Sequence, residues 1–301
     1  MNIDQIKSEL GRLNIRPNKL KGQNFLVDED VLDTIIKSAN IKKGETIVEI
    51  GPGLGALTSK LLSAGANVIA IEQEREFGEY LRKKFKGYPL DVIIANAVLK
   101  IPELVLPKNY KVVSNLPYSI TSPVINLFLT HGCHCEESQQ GDTAISKNNR
   151  DCFSASSADR NDRCCPQKMA LMVQKEVARR LVAKSGESER GVLTVVVELL
   201  SNKRNIITTV SPSSFYPAPK VDSAILEILL SPTHLPKNFE GIMSVVKTGF
   251  SKKRAKLKNA LKPKYGDTTS LLQSAGIDES FRAEDVTPDQ WIKLSDSIYK
   301  N

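Results

Sequence analysis

A mixed α/β fold, with a mostly parallel sheet covered by helices on both faces and a small all-helical domain after it, is predicted by three features of the sequence. Helical patterns alternate with short β-rich apolar runs from Asp28 to Leu230. One run opens directly into a glycine-rich turn, Gly51-Pro52-Gly53-Leu54-Gly55, and another closes on the polar-aromatic turn Asn115-Leu116-Pro117-Tyr118. Beyond Ser231-Pro232-Thr233-His234-Leu235-Pro236 the β-rich runs stop, and helical spacing continues to Tyr299.

Residues 1–20 carry Lys7, Arg12, Arg16 and Lys19 and read as a mobile basic arm. Thr46–Ile50 is the first buried strand, and a helix is predicted from Ala56 to Leu62. Strands follow at Asn67–Glu72, Asp91–Ala95, Tyr110–Ser114, Met169–Val173, Arg204–Thr209 and Asp222–Leu230. The organisation is therefore an arm over 1–20, a ligand-binding domain over 21–231 and a helical domain over 232–301. Trp291 shares helical spacing with Leu294 and Ile298 and reads as core, as do the methionines. His234 stands alone in the linker and supports no chemistry. No Ser/His/Asp set and no catalytic carboxylate pair stand out.

At 301 residues the chain is long enough for a large core. No apolar stretch approaches the ~18 residues of a membrane span. Met1-Asn2-Ile3-Asp4-Gln5 lacks a basic-then-apolar leader, so a cytoplasmic location is expected. The formal net charge is +8. Lys247, Lys252, Lys253, Arg254, Lys256, Lys258, Lys262 and Lys264 fall within 18 residues with no acid among them, which accounts for the whole net charge. Like charges at that density repel unless something anionic lies across them, so phosphate binding is expected. Val246, Phe250, Leu257 and Leu261 add one apolar stripe, predicting a single helix stopped by Pro263.

Residues 131–166 break the pattern. Only Ile145 and Phe153 of these 36 residues are Leu, Ile, Val or Phe, so the segment cannot bury enough apolar surface to fold alone. It nevertheless holds all five cysteines and two of the three histidines. The ligand types suit zinc, but Cys133-His134-Cys135 and Cys164-Cys165 lack the usual knuckle spacing; a disordered insertion, with no metal, is the expectation. Sheet topology predicts that it hangs from the edge away from the ligand.

The turns carry the chemistry. Glycines after the first strand let the backbone approach a ligand closely, at a helix N-terminus with free N–H groups. The spacing is G-x-G-x-G with Glu49 two positions ahead, not the G-x-G-x-x-G of dinucleotide binders, and no Lys-Ser/Thr follows as in a P-loop. Glu72 ends the next strand, where a carboxylate can take both hydroxyls of a ribose. Together these form the S-adenosylmethionine arrangement of a Rossmann-like methyltransferase. In the second turn, the Asn115 side chain and the Pro117 carbonyl can accept the two hydrogens of an exocyclic amine, while Tyr118 stacks on the base.

Further motifs stand in order around these turns. They are Gln23-Asn24-Phe25-Leu26, Val173-Gln174-Lys175-Glu176-Val177-Ala178, Phe215-Tyr216-Pro217-Ala218-Pro219-Lys220-Val221-Asp222-Ser223, Gly249-Phe250-Ser251-Lys252-Lys253-Arg254, Gly276-Ile277-Asp278 and Arg282-Ala283-Glu284. In this order they resemble the KsgA family of small-subunit ribosomal RNA adenine dimethyltransferases, from about Asn14 to Ile298. The resemblance implies a class I methyltransferase with S-adenosylmethionine as cofactor. Asn24 and Leu26 would line the methionine end, Gly51 and Gly53 would pass beneath it, and Glu72 would hold the ribose. Asn115, Pro117 and Tyr118 would receive the target adenine, and Phe215 would stack on its other face. Lys252, Lys253, Arg254, Lys256 and Lys258 would hold RNA. The family usually has an Asp before the Ala-Leu of its third motif. Here the sequence is Asn96-Ala97-Val98-Leu99, with Ala97 at the carboxylate's place and Asn96 a possible substitute.

The implied reaction is dimethylation of two adjacent adenines in small-subunit rRNA, on the pre-small ribosomal subunit, by a monomer with a role in subunit biogenesis. The related large-subunit rRNA adenine methyltransferase is one alternative; Arg282-Ala283-Glu284 and the Phe250–Arg254 motif argue against it. A non-catalytic assembly factor on the same scaffold is another, against which stand Glu72 and Asn115–Tyr118. A methyltransferase for DNA or a small molecule is the third.

Overall fold

The structure is a computed structural model that describes residues 1–17, 22–107, 109–130, 133–135, 163–231, 236 and 238–299. Seven strands form the central sheet: β1 Thr46–Ile50, β2 Asn67–Glu72, β3 Leu90–Ile94, β4 Lys111–Asn115, β5 Lys168–Gln174, β6 Ser201–Val210 and β7 Ser223–Leu230. Their spatial order is β6-β7-β5-β4-β1-β2-β3. All neighbours are parallel except β7, which is antiparallel to both β5 and β6. The chain builds outward from β1 to β3, then returns to place β4 on the other side of β1. That reversal opens a crevice between the C-terminal ends of β1 and β4, where open α/β sheets bind ligands.

Both faces of the inner strands are covered, which is why these strands read as apolar runs rather than alternating ones; the edge strand β6 is largely exposed. Val48, Val112, Leu171 and Val173 point to one face, against helices Thr121–Thr130 and Val192–Leu200. Ile47, Val113, Ala170 and Met172 point to the other, against helices Glu29–Ala39, Ala56–Ser63 and Arg75–Lys84.

The expected mobile arm is instead a helix, Ile3–Arg12, on that second face. Asn2 and Gln5 form a capping box, and Ile6 and Leu10, one turn apart, are buried. Apolar spacing, rather than the scattered basic residues, decides the conformation. Residues 18–21, with Lys19, lie outside the described residues.

Four helices, Phe239–Gly249, Leu257–Tyr265, Thr269–Ser274 and Pro288–Tyr299, build the C-terminal lobe around the fully buried Trp291. Val195 of helix Val192–Leu200 belongs to the same core, so the lobe rests on the sheet domain. The buried guanidinium of Arg190 donates to the carbonyls of Glu284 and Val286 and to the carboxylate of Glu198, which Arg204 also holds. Removing one member would strand a buried charge.

The basic segment is not one helix. The first helix ends at Gly249, where an added Cβ would lie 2.7 Å from the Trp291 ring. The chain then turns, with Arg254 at a left-handed φ of 62°. It restarts at Leu257, whose N–H donates to the Phe281 carbonyl at 2.8 Å. Pro263 sits inside this second helix, which runs on to Tyr265.

Of the 131–166 segment, Cys133–Cys135 and Arg163–Cys164 are short strands that join Val105–Leu106 in a three-stranded sheet. Val105–Leu106 precedes β4, near its N-terminal end. The expectation of disorder for 136–162 and the linker residue His234 fall outside the described residues.

Candidate active site

The crevice at the switch point is a cavity of about 260 Å³ walled by the glycine-rich turn, the ends of β1 and β2, the Asn115–Ile120 turn and residues 22–26. Gly51 and Gly53 have φ of 65° and 56°, in the left-handed region. A Cβ on Gly51 would come within 3.0 Å of the Pro117 ring, and one on Gly53 within 3.1 Å of the Phe25 ring. The two turns of the site therefore touch, and only glycine lets them do so.

Glu72 closes β2 with its carboxylate fixed by two backbone donors, Gly53 N–H and Glu74 N–H, each at 3.0 Å. Burial raises its pKa, and these donors oppose the rise. The lone pairs left over on its two oxygens suit a diol. Glu49, which the sequence marked only by its spacing, also lines the cavity and is 1% exposed. Burial pushes its pKa up to about 8, and the charge of Glu72 adds to the rise. The Thr58 hydroxyl donates to it at 2.7 Å. Near neutral pH the Glu49 carboxyl is thus largely protonated, while Glu72 is the carboxyl group held by backbone donors. Glycine cradle, diol acceptor and cavity together fit a nucleoside cofactor of the S-adenosylmethionine type.

At the other end of the cavity, Nδ2 of Asn115 donates to the Asn24 carbonyl at 3.2 Å. A carbonyl can only accept, so this contact fixes the amide and leaves Oδ1 as the group offered to a ligand. Asn24 contributes its carbonyl here, while its side chain donates to the Gly22 carbonyl at 3.2 Å. Tyr118 is half-buried in the cavity wall, its hydroxyl 2.6 Å from that of Ser223.

Two predicted roles need correction. The Pro117 carbonyl already accepts from Ile120 N–H at 3.1 Å and Thr121 Oγ1 at 3.2 Å, because it starts the following helical turn. Both of its lone pairs are engaged. The adjacent Leu116 carbonyl takes no hydrogen bond among the described residues, although Leu116 lines the cavity. Phe215 is not in the cavity wall: it is 3% exposed, in the core beside Leu26, with which it pairs in a short antiparallel ribbon. Leu26 itself reaches the cavity.

Ala97 lines the cavity at 5% exposure. Asn96 does not stand in for a carboxylate there. It is exposed, and its Oδ1 caps the short helix Ala97–Lys100 by accepting from Val98 N–H at 2.9 Å. Met1 and Ile6 of the N-terminal segment, and Phe77, also wall the cavity, which the sequence did not announce; the Ile6/Leu10 spacing is the one signal that points there. Lys252, Lys253, Arg254 and Lys256 are exposed on the turn between the two C-terminal helices. Lys258 differs, pairing with Glu279 at 2.7 Å. Among the described residues no cluster of His, Cys, Asp or Glu is placed to hold a metal, and no helix is long and apolar enough to cross a membrane.

A seven-stranded sheet of this order, with a glycine-cradled nucleoside cavity at its switch point, defines a class I, Rossmann-like methyltransferase. Its solved likenesses include a dimethyladenosine transferase from Plasmodium falciparum, with a TM-score of 0.70 and 26% identity over 90% of this chain and 95% of that one. A 23S rRNA methyltransferase, ErmE, shares the fold at a TM-score of 0.64 and 24% identity, covering 91% of this chain and 99% of its own. Residues 14–300 match the family described as ribosomal RNA adenine dimethylase, and the chain belongs to that family. Among its relatives is the ribosomal RNA small subunit methyltransferase A of Dehalococcoides mccartyi, 35% identical over 96% of this chain and 91% of the relative. The protein of the same name from Clostridium botulinum is 35% identical over 97% and 98%.

Proposed function

We propose that this enzyme methylates the exocyclic amine of two adjacent adenines in small-subunit rRNA, twice each, with S-adenosylmethionine as donor. It would act on ribosome precursors in the cytoplasm, as a monomer. One observation supports the reading: Asn115 lines the cavity that Glu72 and the glycine turn share, and its amide nitrogen is engaged by the Asn24 carbonyl, which leaves its oxygen as the acceptor. When bound, the cofactor supplies an activated methyl group on its sulfonium. The rest falls to the chain. An aryl amine is a weak nucleophile because its lone pair is delocalised into the ring. Asn115 Oδ1 would accept one amine hydrogen and the Leu116 carbonyl the other, drawing them out of the ring plane and localising the lone pair. Tyr118 would hold the base by stacking, and placement in line with the methyl supplies a proximity effect. Gly51 and Gly53 would pass beneath the cofactor, Asn24 and Leu26 border its methionine end and Glu72 take its ribose. In this reading residues 21–231 are the catalytic domain, and 232–301 bear the RNA through Lys252, Lys253, Arg254 and Lys256.

The test offers purified undermethylated small subunits, large subunits and DNA with labelled cofactor, followed by mapping of the modified base. Label on adjacent small-subunit adenines is expected. Label on a large-subunit adenine or on DNA would overturn the substrate assignment, and no transfer to any of them would favour a non-catalytic factor.

A further inference from the structure

The 2.6 Å contact between the hydroxyls of Tyr118 and Ser223 joins the base-binding turn to a strand 105 residues further along the chain. Ser223 opens β7 and is 0% exposed, paired across the sheet with Gln174 of β5 and Val210 of β6. A hydroxyl buried this deeply is costly unless it is hydrogen-bonded. Tyr118 is the partner that its side chain has among the described residues. Tyr118, by contrast, lies on a turn whose own backbone does not fix the ring: its side chain projects from the short helical turn Tyr118–Ile120. One end of the contact is therefore held by two neighbouring strands, and the other would rotate about its side-chain torsions without it.

We propose that Ser223 is a positioning residue for methyl transfer: its hydroxyl anchors the far end of the Tyr118 ring and so holds the ring where the target adenine stacks. The inference rests on the reading of Tyr118 as the stacking group. It deepens that reading by naming what holds the ring. A hydrogen bond at the far end of the ring holds Oη in place and with it the direction of the ring's long axis; tilt about that axis is restrained only by the preference of a phenol hydroxyl to bond in the plane of its ring. Ser223 is absent from the cavity wall, so it acts through Tyr118 and touches neither substrate nor cofactor.

Five variants test this: Tyr118→Phe, Ser223→Ala, the pair combined, Ser223→Thr and, as a control on the stacking role, Tyr118→Ala. Single-turnover methyl transfer to undermethylated small subunits would be measured with cofactor affinity and melting temperature. Tyr118→Phe keeps the stacking face and removes the tether, so its rate should fall about 3- to 10-fold, the worth of one hydrogen bond. Ser223→Ala should fall by a similar factor with cofactor affinity unchanged. The double variant should be no slower than the slower single, because both remove the same hydrogen bond. Ser223→Thr, which restores a hydroxyl on a strand that tolerates β-branching, should regain most of the rate. Multiplying losses in the double variant, or a wild-type rate in Ser223→Ala, would overturn the tether. A loss in Ser223→Ala that tracks the unfolded fraction would reduce Ser223 to a structural role and overturn it too. Tyr118→Ala separates the two ideas: a wild-type rate there would sink the stacking assignment itself, whereas a slow Tyr118→Ala beside a fast Ser223→Ala would sink the tether alone.

Discussion

The switch-point cavity and the basic turn of the C-terminal lobe are built on opposite principles. In the cavity every functional group is held by something else: Glu72 by two backbone N–H groups, Asn115 by the Asn24 carbonyl, and Tyr118 by Ser223. Its glycines leave no room for a side chain. In the turn, Lys252, Lys253, Arg254 and Lys256 project into solvent, and Lys258 alone of the five is tied among the described residues, to Glu279. The first region fixes geometry, as differential stabilisation of a transition state requires. The second supplies a field, for which charge matters more than the position of any one atom. Substitutions should therefore act steeply and on rate in the cavity, but gradually and on salt-dependent affinity in the turn.

The largest effect is expected at Asn115. In the proposed mechanism Asn115→Ala removes an acceptor for the reacting amine, and it should slow methyl transfer by at least ~10²-fold. The side chain makes one hydrogen bond among the described residues, so the fold should survive. A purified, folded variant with near wild-type rate on small subunits would break the comparison at its root.

How far these regions were legible in the sequence follows the same division. The inner strands of the sheet could be read because burial on both faces leaves uninterrupted apolar runs, and the glycine turn because its spacing reflects local backbone demands. The charge run needed only counting. What escaped were contacts between distant segments. Nothing local in Phe215 says that it pairs with Leu26 and is buried there, 189 residues away in the chain. That the Pro117 carbonyl is taken by Ile120 and Thr121 depends on how the next turn starts, although a Thr four residues on was a hint. The N-terminal helix escaped for a different reason: its charges hide the spacing of Ile6 and Leu10, which is what folds it.

Glu49 probes whether the cavity is as closed as its geometry indicates. Its carboxyl has an ordinary pKa of 4.5 and one of about 8 when folded, raised first by burial. Folding therefore tightens proton binding. The resulting stability is fully present below the unfolded value, declines as pH rises between the two, and is gone above about pH 8. Glu49→Gln keeps a group for Thr58 to bond but carries no titrating proton. Relative to wild type, cofactor-free Glu49→Gln should gain stability between about pH 5 and pH 9, by on the order of a few kcal/mol. Denaturant midpoints measured at both ends give the difference. Equal pH profiles for the two proteins would mean that water reaches Glu49 and the cavity is open.

In the turn, replacing Lys252, Lys253 and Arg254 together by Ser should leave single-turnover chemistry intact at saturating RNA. Binding should weaken and its salt dependence flatten. Removing one cation from a phosphate changes the log–log slope by roughly 0.7–0.9 units, so the triple variant should differ by about two units. An unchanged slope would show that the turn touches no phosphate and that its charges are merely solvated. A fall in rate at saturation would instead give this region a geometric role, and the contrast with the cavity would fail.

The smallest effect concerns Ala97, which stands where the family resemblance of the sequence implies a carboxylate. Ala97 is the first residue of the helix Ala97–Lys100, with Asn96 as its cap, and it faces the cavity at 5% exposure. In Ala97→Asp two forces compete. A carboxylate there is desolvated, which disfavours its charge, but it also sits in the first turn of a helix, where N–H groups favour an anion. If it points into the cavity and meets the amine of the cofactor's adenine, one hydrogen bond is gained, worth about 1 kcal/mol net. S-adenosylmethionine should then bind a few-fold to tenfold tighter by calorimetry, with a modest fall in melting temperature from the buried charge. Unchanged or weaker binding would mean that the carboxylate has folded back onto the helix N-terminus. Ala97 would then be a packed wall of the cavity, and the adenine would be held by another group.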